Sequence, residues 1–240
     1  MLRHMPTLIA AAQSGNWLPD YSTAAVTQLW GDVTDPGHVF NAQAIDWGFN
    51  LTEPQCTKAL AYFLGAEGDE SLSGHRCAAF VRALYRAAGL SNHTDLQSLE
   101  NVKPGTLILE AEKVVDRGRV DLALEWKDKE RVNQASDRRL ILIECKFNHH
   151  VTEDQLLIYR KHADRHAKGV PRALFLIVDQ MTSQTARELR RSCNKEWIPL
   201  TWRALIRRLE IELMALGLPA DQDFVRLRRT IWNMCTSRSL

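Results

Sequence analysis

The sequence predicts an α/β fold in which helices flank a mixed β-sheet. Two apolar runs, at residues 118–125 and 140–146, are each long enough for a strand, and the charged loop between them is typical of an antiparallel hairpin. An earlier apolar run at 106–115 predicts a strand that turns into this hairpin at Gly118. Helical stretches and strand-like runs then alternate at 152–167, 171–179, 182–193, 196–200 and 202–215. Such alternation indicates parallel strands joined by helical crossovers, so the sheet should be mixed.

Two helices are predicted ahead of the sheet. Thr52 is a suitable N-cap for a helix over 52–64, because Pro54 falls in the first turn, where its missing N–H costs nothing. The second helix, over 75–88, is strongly amphipathic and ends at a glycine. Residues 90–104 are polar and predict a connection that ends at Pro104-Gly105.

Length and composition indicate one globular domain over residues 1–240, with 45% hydrophobic and 25% charged side chains. We divide it into an N-terminal helical and aromatic addition (1–50), a core (51–216) and a basic C-terminal helix (217–240). No apolar run is long enough to cross a bilayer, and the N-terminus does not resemble a signal peptide. The five cysteines form no C-x-x-C pair, which argues against a disulfide framework and a zinc knuckle. We therefore expect a cytoplasmic protein without membrane contact.

The two strands of the hairpin each carry an acidic residue, and the second strand also carries a lysine. Asp121 lies in the first strand. Glu144 and Lys146 lie two positions apart in the second, so they point to one face while Cys145 points to the other. A carboxylate and an ammonium at the end of a buried strand are costly unless they have partners or a function. A hard divalent cation bound by Asp121 and Glu144, beside a lysine that positions water, would supply such a function.

Asp121 followed by Glu144-Cys145-Lys146 resembles the D…(D/E)-x-K signature of the PD-(D/E)XK nuclease superfamily. Residues 152–159 are similar to the "QL..Y" helix that follows the catalytic strand in many such nucleases. The runs 173–178 and 197–202 resemble later elements of the same families, so the resemblance spans most of the chain, residues 51–210. One departure is a valine, residue 120, where the family name has proline.

The resemblance implies a restriction-endonuclease-like three-layer sandwich, in which helices flank a mixed central β-sheet, with extra N- and C-terminal helices. It also implies a Mg²⁺ site, in which Mn²⁺ would substitute, formed by Asp121, Glu144 and the backbone carbonyl of Cys145. In that site Lys146 would orient the attacking water, and Gln155 would brace the lysine or the water.

Other carboxylates are weaker candidates. A glutamate on the helix before the first strand often joins the metal site in the resembled families, and Glu53 stands at that place. It would hold a second ion, or it would only complement the dipole of its helix. Three acidic residues of the first two strands should lie too far from the ion: Glu110, Glu112 and Glu125.

Several histidines are also candidates for the site. His75 would face the site, or it would cap or pack its helix. His149 and His150 follow the catalytic strand closely and are expected near the site entrance. His162 and His166 have the i, i+4 spacing of a helical metal pair, but no third ligand stands at a matching position, so we favour structural or solvent-exposed roles.

Charge is distributed unevenly along the chain: residues 1–159 carry a net charge of −6 and residues 160–240 a net charge of +8. A cationic surface beside an acidic metal site would suit a phosphodiester substrate. The other interpretation is a solvated arginine-rich helix surface.

We therefore expect a Mg²⁺-dependent deoxyribonuclease that binds and hydrolyses DNA. A weaker alternative is hydrolysis of RNA or of a small phosphodiester. Because nucleases that cut both strands are commonly symmetric dimers, a homodimer or a protein partner is compatible with this function. The alternative is a catalytically silent or partner-activated module of the same fold, which binds nucleic acid in a defence, mobile-element or repair assembly.

Overall fold

The computed structural model describes most of the chain beyond residue 51. The described residues are 52–65, 69–100, 107–115, 118–127, 138–147, 151–152, 154–167, 172–191, 194–217 and 222–236. The predicted N-terminal addition at 1–50 lies outside these ranges, and so do His149 and His150.

The described residues form helices and strands in an order that confirms the α/β class. The helices are α1 (Glu53–Gly65), α2 (Glu70–Ala87), α3 (Thr94–Glu100), α4 (Gln155–Ala167), α5 (Ser183–Arg190), α6 (Trp202–Ala215) and α7 (Gln222–Thr236). The strands are β1 (Ile108–Val115), β2 (Gly118–Lys127), β3 (Arg138–Lys146), β4 (Arg172–Val178) and β5 (Trp197–Thr201). Within the ranges given above, no helix is both long enough and apolar enough to cross a membrane.

The five strands form one open sheet in the order β1-β2-β3-β4-β5. Strands β1, β2 and β3 pair antiparallel, whereas β3, β4 and β5 pair parallel. Helices α4 and α5 make the two connections between the parallel strands. The sheet is therefore mixed, as the sequence predicts.

Helices cover both faces of the sheet. The larger core cluster packs one face against α1, α2, α6 and α7, with Phe63, Phe80 and Trp202 among its buried side chains. The smaller cluster packs the opposite face against α4 through Leu156 and Tyr159. Two helical layers with a sheet between them are compatible with a three-layer sandwich.

Strand β3 separates the two faces clearly. Its apolar residues alternate between the clusters, with Ile141, Ile143 and Cys145 in the larger one and Leu140 and Leu142 in the smaller one. Because both faces of this central strand are covered, its sequence is apolar until Glu144. The period of two then places Glu144 on the α4 side, where it contacts Gln155.

The second helix begins earlier than predicted, at Glu70 and not at His75. Asp69 is its N-cap, since Asp69 Oδ1 accepts a hydrogen bond of 2.8 Å from the backbone N–H of Leu72. His75 therefore lies inside the helix, where its exposed ring contacts the backbone oxygen of Ser71.

The predicted polar connection at 90–104 contains a helix, α3, that was not predicted from the sequence. Two leucines of this short helix are buried, too few to produce a recognisable helical period in the sequence. Buried Asp95 fixes the helix, since its carboxylate accepts a hydrogen bond from the Tyr85 hydroxyl and lies 3.2 Å from Arg139 Nε.

The C-terminal helix α7 packs on the core. The sequence alone does not decide between this packing and contact with a partner. Phe224, Leu227 and Ile231 are buried in the larger cluster, and the Phe224 ring lies 5.7 Å from the ring of Phe63. Arg228 binds Glu210 of α6. This helix therefore buries an apolar face within the chain itself.

Candidate functional site

Asp121 of β2 and Glu144 of β3 lie level with each other where the pairing of these strands ends. The last ladder pair is Leu122–Ile143, so the register places Asp121 opposite Glu144. Asp121 Oδ2 accepts a hydrogen bond of 2.7 Å from the backbone N–H of Cys145. The carboxylate therefore satisfies a buried strand N–H beyond the last backbone pair, which holds it against the end of β3.

Lys146 joins this pair of carboxylates to helix α1. Its Nζ lies 2.6 Å from Glu144 Oε1 and 2.9 Å from Glu53 Oε1. Glu53 Oε2 accepts a second hydrogen bond, of 2.8 Å, from the backbone N–H of Phe147. The first turn of α1 is thus bound to the end of β3, and both oxygens of Glu53 already have donors.

Helix α4 contributes the other side of the site. Gln155 Nε2 donates hydrogen bonds to Glu144 Oε1 at 2.6 Å and to the Tyr159 hydroxyl oxygen at 3.1 Å. Tyr159 in turn donates to the backbone carbonyl of Arg119 at 2.6 Å. A chain of hydrogen bonds therefore runs from β2 through α4 to Glu144 and fixes one of its two oxygens.

Burial dominates the electrostatics of the two carboxylates. Glu144 is only 1% exposed, and burial, followed by the charge of Asp121, raises its pKa to about 8 against the opposing effect of Lys146. Burial also raises the pKa of Asp121 to about 6, although the Cys145 N–H and Lys146 act in the opposite direction. Both groups therefore bind protons more readily than an exposed carboxylate.

Lys146 stays charged in this environment. Burial alone would lower the pKa of its ammonium, but the charges and hydrogen bonds of Glu144 and Glu53 outweigh burial and raise it. Lys146 is accordingly a hydrogen-bond donor at neutral pH and not a base. The thiol of Cys145 is buried on the opposite face, where burial raises its pKa well above the ordinary value.

One oxygen of the site lacks a partner. Glu144 Oε2 is buried, and no donor among the described residues reaches it. A buried polar atom without a partner costs about 1–3 kcal/mol, and more when it is charged, so a proton, a water or a cation is required there.

Two side chains and one backbone carbonyl of the site could bind a metal ion. The part of the chain described by the structure contains no group of three or more His, Cys, Asp or Glu side chains that could hold one. Mg²⁺, however, is commonly held by one or two carboxylates together with waters. Asp121, the partnerless oxygen of Glu144 and the Cys145 carbonyl match that need, whereas Glu53 is already occupied by Lys146.

The remaining predicted carboxylates lie outside this cluster or at its edge. Glu125 binds Lys113 at 3.1 Å and Arg138 at 2.6 Å. Glu110 is half exposed and pairs with Lys113. Glu112 lies closer to the site than the sequence indicates. At this position its charge contributes to the raised pKa of Asp121.

The two histidines of α4 stack on each other, with ring centroids 5.7 Å apart. His166 Nε2 lies 3.3 Å from Glu125 Oε1, away from Asp121 and Glu144. This arrangement belongs to the surface of α4 and its neighbouring strand, and not to the predicted metal site.

Ion pairs within the chain engage several arginines of the basic C-terminal part. Close carboxylate partners are present for Arg172 (Glu196, 2.6 Å), Arg208 (Glu212, 2.9 Å) and Arg228 (Glu210). The positive charge available to a phosphate substrate is therefore smaller than the net charge of +8 for residues 160–240 indicates.

Two residues of the site were not assigned roles from the sequence. Tyr159 is one helical turn after Gln155, so the i, i+4 spacing provides a signal that both face the same strand end. Arg119 lies two residues before Asp121, and no pattern in the sequence distinguishes it from other surface arginines.

Comparison with known proteins gives no relative for this arrangement. No family model matches the sequence, and no curated protein and no solved structure matches the chain significantly. The resemblance to PD-(D/E)XK nucleases therefore stays a prediction that depends on the motif residues.

Proposed function

We propose that the chain is a metal-dependent nuclease of the restriction-endonuclease-like type that hydrolyses phosphodiester bonds in DNA. The observation that carries this proposal is the cluster of Asp121, Glu144 and Lys146 at one end of the β2–β3 pair, with one buried oxygen of Glu144 that no donor among the described residues reaches. Two oxygen ligands and an adjacent ammonium are the components that phosphodiester hydrolysis with an activated water requires.

A bound Mg²⁺ would lower the pKa of a water and stabilise charge on the phosphoryl oxygens. Asp121, Glu144 and the Cys145 carbonyl would hold it. Asp121 is kept in place by the Cys145 N–H, and Glu144 by Gln155, so both carboxylates are oriented before any ligand arrives.

Lys146 would act as a donor to the attacking water. Its raised pKa keeps it protonated at neutral pH, so it orients the water and offsets negative charge without accepting a proton. Glu53 holds the ammonium from the opposite side, at 2.9 Å. In this proposal Glu53 positions the lysine, which differs from the second-ion role considered from the sequence.

The test is cleavage of DNA and RNA by wild type and by Glu144→Gln, with Mg²⁺, with Mn²⁺ and with chelator. Wild type should cut DNA only with metal, and Glu144→Gln should lose at least about a hundredfold in rate. Glu110→Gln is the matched control, because it removes the same charge from an exposed position on β1. Cutting of RNA but not of DNA would change the proposed substrate from DNA to RNA. Equal rates for wild type and Glu144→Gln would refute the assignment of Glu144 to the active site.

A binding module without catalysis is the second candidate, and one observation favours it. Lys146 already pairs with Glu144 and Glu53 at 2.6 and 2.9 Å, so two of the three carboxylates have a cationic partner without a metal. Titration of the protein with Mn²⁺ separates the two candidates. Heat of binding in wild type that disappears in Glu144→Gln supports the enzyme, and DNA binding with no metal binding supports the module.

A further inference from the structure

Arg119 presents an exposed guanidinium at the edge of the site. Its side chain is 63% exposed, and its residue lies two positions before Asp121 on β2, a separation of about 7 Å along a strand. The backbone beneath it is fixed, because the Arg119 carbonyl accepts the hydrogen bond of the Tyr159 hydroxyl at 2.6 Å. Arg119 therefore combines an exposed guanidinium with a backbone that is hydrogen-bonded to α4, two residues before Asp121.

The ion pair between Arg119 and Glu112, both among the described residues, uses only part of the hydrogen-bonding capacity of the guanidinium. Its Nη1 lies 3.4 Å from Glu112 Oε2, which is a long contact for a charged pair. An exposed pair of this kind contributes little, about 0–1 kcal/mol. The guanidinium carries five N–H donors, so it can bind a second anion without losing a strong interaction.

Other cations near the strand ends are less available. Lys146 is held by two carboxylates at 2.6 and 2.9 Å. Arg138, at the far end of β3, binds Glu125 at 2.6 Å. A substrate cut at Asp121 and Glu144 would bring neighbouring phosphates to this end of the strands, where Arg119 lies two residues before Asp121.

We propose that Arg119 binds a backbone phosphate of the substrate, adjacent to the phosphate that is cut. This inference rests on the proposed nuclease function and names the residue that positions its substrate. The planar fork of arginine suits two oxygens of one phosphate, and the contact is independent of base sequence.

The experiment measures binding of a fluorescein-labelled DNA duplex by anisotropy in chelator, and cleavage of the same duplex in Mg²⁺. Arg119→Ala should weaken binding and raise KM about tenfold, the loss of one charge-assisted contact, with kcat within about twofold. The slope of log affinity against log salt should decrease by about 0.9. Arg119→Lys should restore the salt slope but only part of the affinity.

Arg138→Ala is the matched control, since it removes an exposed arginine eight residues from Lys146, roughly 26 Å along β3. Equal affinity and KM for Arg119→Ala and wild type, in a wild type that cuts DNA, would refute this inference alone. A fall in kcat with unchanged KM, or the same loss in Arg138→Ala, would also refute it. A wild type that neither binds nor cuts DNA would refute the nuclease function together with this inference.

Discussion

Replacement of Glu144 by glutamine should stabilise the metal-free protein at alkaline pH while it removes activity. Burial raises the pKa of Glu144 from 4.5 to about 8, so the folded state binds this proton more tightly than the unfolded state. The stabilising contribution of the protonated group is complete below pH 4.5 and is lost as the pH rises through 8. Glutamine keeps the shape of the side chain and cannot ionise.

The shift in pKa sets the size of the effect. Between about pH 5 and about pH 8.5, the unfolding free energy of wild type should decrease by about 4 kcal/mol relative to that of Glu144→Gln. Groups that the two proteins share and that do not interact with Glu144 cancel in this comparison, so the difference reports Glu144 together with its coupling to Asp121 and Lys146. The pH range ends at about 8.5, below the ordinary thiol pKa of 9.0. Burial raises the pKa of the Cys56, Cys77 and Cys235 thiols further, so these thiols stay protonated in the folded protein over this range.

The assay is urea unfolding in chelator, followed by tryptophan fluorescence, at several pH values across this range. The Glu110→Gln protein, changed at an exposed position, should follow the wild-type curve. A constant difference between wild type and Glu144→Gln at all pH values would refute the assignment of Glu144 as a buried carboxylate with a raised pKa.

Two further substitutions separate the site from the fold. Tyr159→Phe removes the hydroxyl that binds the Arg119 carbonyl and Gln155. The free energy of unfolding should therefore fall by about 1 kcal/mol and kcat/KM about tenfold. An unchanged kcat/KM would contradict the role of Tyr159 in holding Gln155 and Glu144 in place. Asp95→Asn removes a buried negative charge that lies 3.2 Å from Arg139 Nε and accepts a hydrogen bond from the Tyr85 hydroxyl, so the free energy of unfolding should fall by about 3 kcal/mol in urea. Titration of the folded Asp95→Asn protein should give the wild-type Mn²⁺ affinity, and a parallel loss would contradict the separation of this network from the site.

Elements with a continuous apolar pattern were predictable from the sequence. Strand β3 occupies its predicted position, because it is buried on both faces and its sequence is a continuous apolar run. Helix α6 does so because Thr201 caps its N-terminus and a regular apolar stripe follows. Helix α3 was not predictable, since two buried leucines and a buried Asp95 stabilise it through contacts with α2 and β3. Tertiary packing, and not local propensity, decides such short helices.

The site was predictable only in part. The spacing of Glu144 and Lys146 on one strand indicates a shared face, since it depends only on the period of two. The contact of Lys146 with Glu53 joins residues far apart in the chain, and no local rule predicts which oxygen a lysine will bind. The local sequence also does not reveal that Glu144 Oε2 has no donor among the described residues, because burial of this oxygen depends on tertiary packing.

The most direct test of the nuclease function is the conversion of supercoiled plasmid DNA by wild type and Lys146→Ala, purified in parallel and assayed with Mg²⁺. Lys146 is held between Glu144 and Glu53, so its removal deletes the donor to the water and leaves both carboxylates in place. The account predicts nicked or linear product with wild type and a rate at least about a hundredfold lower with Lys146→Ala. Cutting by the Lys146→Ala protein at the wild-type rate would contradict it.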